Sequence, residues 1–139
     1  MNGKSPSSKS TNSPTTKENN MFKKGNVFEE QKDRNGWIYG SFMSEGLGKD
    51  DRMEIKVARL ESSFTSEPHY NKTSTKVDIV WEGKAMWQVN GEDIEMNTGD
   101  YIIIPPKTTA CIKKILTEYL IVQTIRTPSI PDDKVMVKS

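Results

Sequence analysis

From Lys76 onward period-two alternation keeps returning, through KVDIVWEGKAMWQVNGEDIEMNTGDYIIIPP to Pro106. Successive residues of a strand point to opposite faces, so this pattern marks extended segments with one buried side. At its centre stands Asn90-Gly91, a pair that tolerates the positive φ of a type I′ turn and so predicts a hairpin. Glu82-Gly83 punctuates the preceding pair of runs in a similar way. The same reading predicts strands over 37–43, 53–60, 76–81, 85–89, 101–104, 109–115 and 119–125. Only one window, 27–32, reads as a helix. Many short strands at close spacing predict an all-β sandwich or barrel.

Past the last of these strands, residues 127–134 hold two prolines close together. They should turn away from the sheet, to pack across the barrel or a neighbouring subunit, or to run into solvent.

A chain of 139 residues is expected to form one domain plus tails. Its hydrophobic fraction of 33% is low, and residues 1–20 account for part of that. They are rich in Ser, Thr, Asn, Lys and Pro and hold no aliphatic or aromatic residue beyond Met1. Burial could not offset their ordering entropy, so they are expected to be a disordered leader to a domain over 21–139. No apolar stretch suits a signal peptide or approaches the roughly 18 residues of a membrane span. A soluble, cytoplasmic protein with no membrane partner is the expectation. Twenty basic and 19 acidic residues leave a formal charge of +1, which gives no field for capturing nucleic acid. Cys111 is the single cysteine; it can form no internal disulfide and no cysteine-rich zinc site, and reads as a small buried apolar residue.

Two stretches resemble the paired motifs of the cupin superfamily, G-x5-H-x-H-x3,4-E-x6-G and G-x5-P-x-G-x2-H-x3-N. His69 and Gly83 fall on the marks of the first, within PHYNKTSTKVDIVWEG. Gly99 and Pro105 fall on those of the second, within GDYIIIPPKTTACIKK. The resemblance covers about Trp37 to Ile125 and implies a double-stranded β-helix, the small jelly-roll barrel of that family. In that family three imidazoles and one carboxylate usually surround a divalent ion. Here the matching positions are His69, Asn71, Lys76 and Ala110. One imidazole and an amide hold a transition metal weakly, and an ammonium aimed at the same point repels it. The expectation is a barrel with no metal and no other cofactor.

If Lys76 points inward as the family's glutamate does, strand parity puts Asp78 and Val80 on its face and Trp81 on the other. Lys76 and Asp78 would be close enough to pair; alternatively Lys76 meets a ligand carboxylate or phosphate and Asp78 accepts sugar hydroxyls. His69 is the only imidazole in the chain. Metal-free members of the superfamily that isomerise or epimerise nucleotide-linked deoxysugars use a barrel histidine as base, which implies such a role for His69 with Tyr70, Tyr101 or Asp78 as partner. A polar residue at the barrel mouth making one hydrogen bond is the other reading of His69. The tryptophans, Trp87 included, read first as core or interface residues, and Trp87 also as a stacking surface for a ligand. Lys107, Lys113 and Lys114 could form a cationic rim, or simply solvate a strand end.

Two functions fit. One is a metal-independent domain binding a small polar ligand, a sugar or sugar phosphate, through His69, Asn71, Lys76, Asp78 and Trp87. The other is a carbohydrate isomerase or epimerase with His69, Tyr101 and Asp78 as its catalytic residues. An open sheet edge and apolar outer faces predict a homodimer.

Overall fold

The computed structural model describes residues 21–137; the expected leader over 1–20 lies outside them. One helix, α1 (Val27–Arg34), precedes ten strands: β1 (Trp37–Tyr39), β2 (Glu54–Glu61), β3 (His69–Asn71), β4 (Thr75–Glu82), β5 (Lys84–Val89), β6 (Glu92–Asn97), β7 (Tyr101–Ile104), β8 (Ala110–Ile115), β9 (Tyr119–Thr127) and β10 (Lys134–Met136). They form two five-stranded sheets, in the orders β1-β2-β9-β4-β7 and β10-β3-β8-β5-β6. From β2 to β10 the chain passes back and forth between the two, with only the β5-β6 hairpin staying in one sheet. This is the double-stranded β-helix, and the fold class is all-β.

α1 is capped at both ends by asparagine. The Asn26 side chain accepts from the amides of Phe28 and Glu29, while Asn35 closes the helix in the left-handed conformation. Both satisfy backbone groups that a helix end leaves without partners.

The Asn90-Gly91 turn joins β5 and β6 with φ of +50° and +83°, and the hairpin register runs from Val89 opposite Glu92 to Lys84 opposite Asn97. Gly83, by contrast, carries the chain from one sheet to the other between β4 and β5. Its φ is +107°, and a Cβ there would lie 2.6 Å from the Tyr119 carbonyl oxygen, so the position needs glycine for both backbone and space.

Two strand expectations are corrected, and one open alternative is decided. The strand expected over 37–43 ends at Tyr39, because Gly40 turns at φ +150° with Phe42 and Glu54 side chains packed where a Cβ would project. Residues 92–97, not among the expected strands, form β6; Ile94 and Met96 pack into or against the core while four acidic or amide residues mask the pattern. The segment after β9 is not a solvated tail. Asp133 accepts from the amides of Thr73 and Ser74, Ser129 donates to Glu54 at 2.7 Å, and the chain then adds β10 to the edge of the second sheet beside β3.

Inward residues change character along the barrel. Val80, Ala85, Trp87, Met96, Ile115, Leu120 and Val122 form the buried core, with Leu60, Ile94, Ile102 and Ile112 packed on it. Further along the same strands the inward face turns polar. Lys56, Thr124 and Asp78 stand opposite one another across β2, β9 and β4, and Glu54, Arg126 and Lys76 form the next row. One end of the barrel is therefore solid and the other is a lined cavity.

Candidate functional site

The cavity encloses about 370 Å³, within the range of small-molecule sites, which run from roughly 300 to 1,000 Å³. Its walls come from both sheets and from α1: Lys56, Asp78, Thr124 and Arg126 on one side, His69, Trp87 and Cys111 on the other, with Gln31 and Asn35 at one margin and Lys134 from β10 at another.

Asp78, 3% exposed, organises the floor. Its Oδ1 accepts from the Thr124 hydroxyl at 2.8 Å and its Oδ2 from the Trp87 indole N–H at 3.0 Å. A buried carboxylate held by two neutral donors and facing a cation is fully partnered, which is the condition for keeping such a charge in an enclosed site. Trp87 thus has two jobs, packing into the core with its ring and fixing Asp78 with its nitrogen.

Lys76 is the cation. Its Nζ lies 3.9 Å from Asp78 Oδ2 and 3.3 Å from His69 Nε2. The ring of His69 is fixed by its other nitrogen: Nδ1 lies 2.7 Å from the Glu67 carbonyl oxygen. A carbonyl can only accept, so Nδ1 carries the hydrogen, and Nε2 presents its lone pair to the Lys76 ammonium. Burial, and after it the Lys76 charge, push the His69 pKa down to about 4. Burial also lowers Lys76, against the opposing attraction of Asp78. At neutral pH the imidazole is neutral, with its Nε2 lone pair facing the Lys76 Nζ.

These residues do not fit the ion usual to such barrels. Ala110 sits directly opposite His69 across β3 and β8 and offers no donor atom, and the His69 lone pair is already engaged by Lys76. Among the described residues no three His, Cys, Asp or Glu side chains converge as a ligand set.

The site residues expected from sequence are only partly brought together. His69, Lys76, Asp78 and Trp87 all line the cavity. Asn71 is buried on β3 but does not line it. Tyr101 is corrected outright: Ile102 and Ile104 turn inward on β7, leaving Tyr101 67% exposed on the outer surface and away from His69. Lys113 and Lys114 are also exposed and outside the cavity, and Lys113 pairs with Asp93 at 2.8 Å. Trp81 points outward, as strand parity requires, with its indole donating to Gln123.

The cations that do face the cavity, Lys56, Arg126 and Lys134, were missed. Lys56 Nζ and the Arg126 guanidinium lie 5.0 Å and 5.3 Å from the centre of the Trp37 ring, within the reach of cation–π attraction. The available signal was parity: Lys56 is two residues from the inward Ala58, and Arg126 is two from Thr124.

A double-stranded β-helix whose interior is half apolar core and half charged cavity defines the class of protein. Residues 56–111 match the cupin domain family, and the fold is the double-stranded β-helix of that family. Among solved structures it is similar to a double-stranded β-helix protein of Klebsiella pneumoniae, at 16% identity and TM-score 0.58, covering 65% of this chain and 78% of that one. A cupin protein of Bacteroides fragilis matches at 18% identity and TM-score 0.52, covering 63% and 73%. A proposed sugar phosphate isomerase of Acidithiobacillus ferrooxidans matches at 22% identity and TM-score 0.51, covering 55% of this chain and 50% of that structure. At these identities the likeness is one of fold. No curated protein matches the sequence.

Proposed function

We propose that this chain is a metal-independent cytoplasmic binding domain that holds a small polar ligand, a sugar or sugar phosphate, in the barrel cavity. The observation that carries the reading is the fixed polar floor: Asp78 held by Trp87 and Thr124, with Lys76 set between Asp78 and His69. Pre-positioned donors and acceptors beside an apolar wall are what a hydroxyl-rich ligand needs, since little reorganisation is required on binding.

The isomerase reading has less support. His69 would have to act as base through a nitrogen that Lys76 covers, at a pKa of about 4, far from the operating pH at which a general base is effective. Its proposed partner Tyr101 lies outside the barrel.

The test is a thermal-shift screen of sugars, sugar phosphates and nucleotide sugars, with and without divalent ions. A ligand that binds only the native state at a hundredfold excess over its Kd adds about 2.7 kcal/mol, so hits should raise the melting temperature equally in the presence of a chelator. Stabilisation that requires iron, nickel or zinc would sink the metal-independent reading.

A further inference from the structure

The cations of the cavity are unequally partnered. Arg126 Nη1 donates to Glu54 at 2.6 Å, and Lys76 has Asp78 and His69. Among the described residues no carboxylate stands within ion-pair distance of Lys56 or of Lys134. Arg126 Nε is buried and has no acceptor, although buried donors in folded proteins are nearly always satisfied. Three positive groups from three strands, β2, β9 and β10, thus line the cavity with no counter-charge of their own beyond Glu54.

The arrangement costs free energy in the absence of an anion. Burial first, and then Arg126 and Lys134, push the Lys56 amine down to about 8. Burial and Arg126 likewise lower Lys134. Glu54 does not cancel this, because both of its oxygens are already engaged, one by Arg126 and one by the Ser129 hydroxyl. Trp37 adds a partial counterweight through its ring face. An oxyanion placed there would offset the mutual repulsion of all three cations at once.

We infer that Lys56, Arg126 and Lys134 form a subsite for an oxyanion, the carboxylate or phosphate monoester of the cavity's ligand, with the rest of the ligand directed toward Asp78 and Thr124. This rests on the binding reading above and narrows it: the ligand is acidic, and its charged group lies against Lys56, Arg126 and Lys134. The neutral part then meets the wall formed by Asp78, Trp87 and Thr124.

Isothermal titration calorimetry tests this with glucose, gluconate, glucose 6-phosphate and inorganic phosphate on the wild-type chain and on the Lys56→Gln, Lys134→Gln double variant. At least one anionic probe should bind ten times or more tighter than glucose, and the double variant should lose most of that advantage while its affinity for glucose stays the same. Which anion gains more separates a carboxylate from a phosphate head. Melting curves of the double variant check that the fold is kept, and an Arg substitution at Lys56 should restore part of the anion affinity if the melting point is unchanged. Glucose binding as tightly as the anions, or anion affinity untouched in the double variant, overturns the subsite and leaves the binding reading standing. No binding by any of the four probes overturns both.

Discussion

Lys76 determines what His69 can do. In this chain the imidazole is unique, so proton NMR follows one histidine without assignment ambiguity. Its resonance should titrate near 4, where burial and Lys76 place it. Lys76→Met removes the second of these causes, and the midpoint should move up toward the ordinary value of 6.5. A wild-type midpoint at 6.5 would mean that the lysine does not face the ring. The same shift has a consequence for stability. Because the folded pKa lies below the unfolded one, the unfolded chain takes up the proton first. Stability is complete above about 6.5 and falls as pH drops toward about 4, by up to about 3 kcal/mol at 1.36 kcal/mol for each unit. Denaturant melts across that interval would check it. Asp78→Ala leaves the Trp87 N–H, the Thr124 hydroxyl and Lys76 without their shared acceptor. The loss expected for breaking a buried charged network is about 3–5 kcal/mol, read as a lower urea midpoint. Lys76, Asp78 and their mutual approach could be read from parity in the sequence. The hydrogen bond to His69 could not, because it joins strands of different sheets.

Turns and strands differ in how much of them is local. Asn90-Gly91 forms the hairpin expected of it because its φ requirement is met by the two residues themselves. Gly83 looked equivalent in sequence but does something else, holding the crossover where Tyr119 and Thr117 press close. Gly99 and Gly91 also have positive φ, yet a Cβ at either would meet nothing within 4 Å. Gly83→Ala should therefore cost well over the roughly 1–3 kcal/mol of a strained backbone conformation, while Gly91→Ala and Gly99→Ala should stay within that range. Thermal melts of the three variants rank them, and equal losses would contradict the crowding at Gly83. Strand β6 escaped notice because its exposed face is acidic, which depresses strand propensity, while its inward Ile94 and Met96 gain their energy only from β5 and the core. Strand β10 escaped because three residues carry too little pattern; it exists by pairing with β3.

At the scale of the whole molecule, the outer face of the first sheet is apolar. Between the strand ends, Val77, Ile79 and Trp81 of β4, Tyr101 and Ile103 of β7, and Ile121 and Ile125 of β9 alternate with the inward residues, and Trp81, Tyr101 and Ile103 are more than half exposed. Arg59 and Glu61 of β2 border this face, opposite Ile121 and Tyr119, and they pair with each other at 2.6 Å, so two copies could meet face to face about a two-fold axis over the uncharged β4 and β7 side chains. We propose that a second copy covers this face. Sedimentation at micromolar concentration should give a dimer, and Ile103→Asp should give a folded monomer with the cavity's ligand response intact. A monomeric wild type would refute the proposal. Among the described residues no helix is long and apolar enough to cross a membrane.

What the sequence determined by itself was periodic and local: the two-residue alternation, the Asn90-Gly91 turn, and the motif spacing that placed Lys76 and Ala110 where metal ligands usually stand. These are properties of a strand or a turn, carried by its own residues. Which cations gather around Trp37, that Lys76 meets His69, that Tyr101 faces away, and that the final segment returns as β10 were decided by tertiary structure. Each depends on how strands far apart in the chain close around a common interior, and that closure is set by the packing of both sheets together.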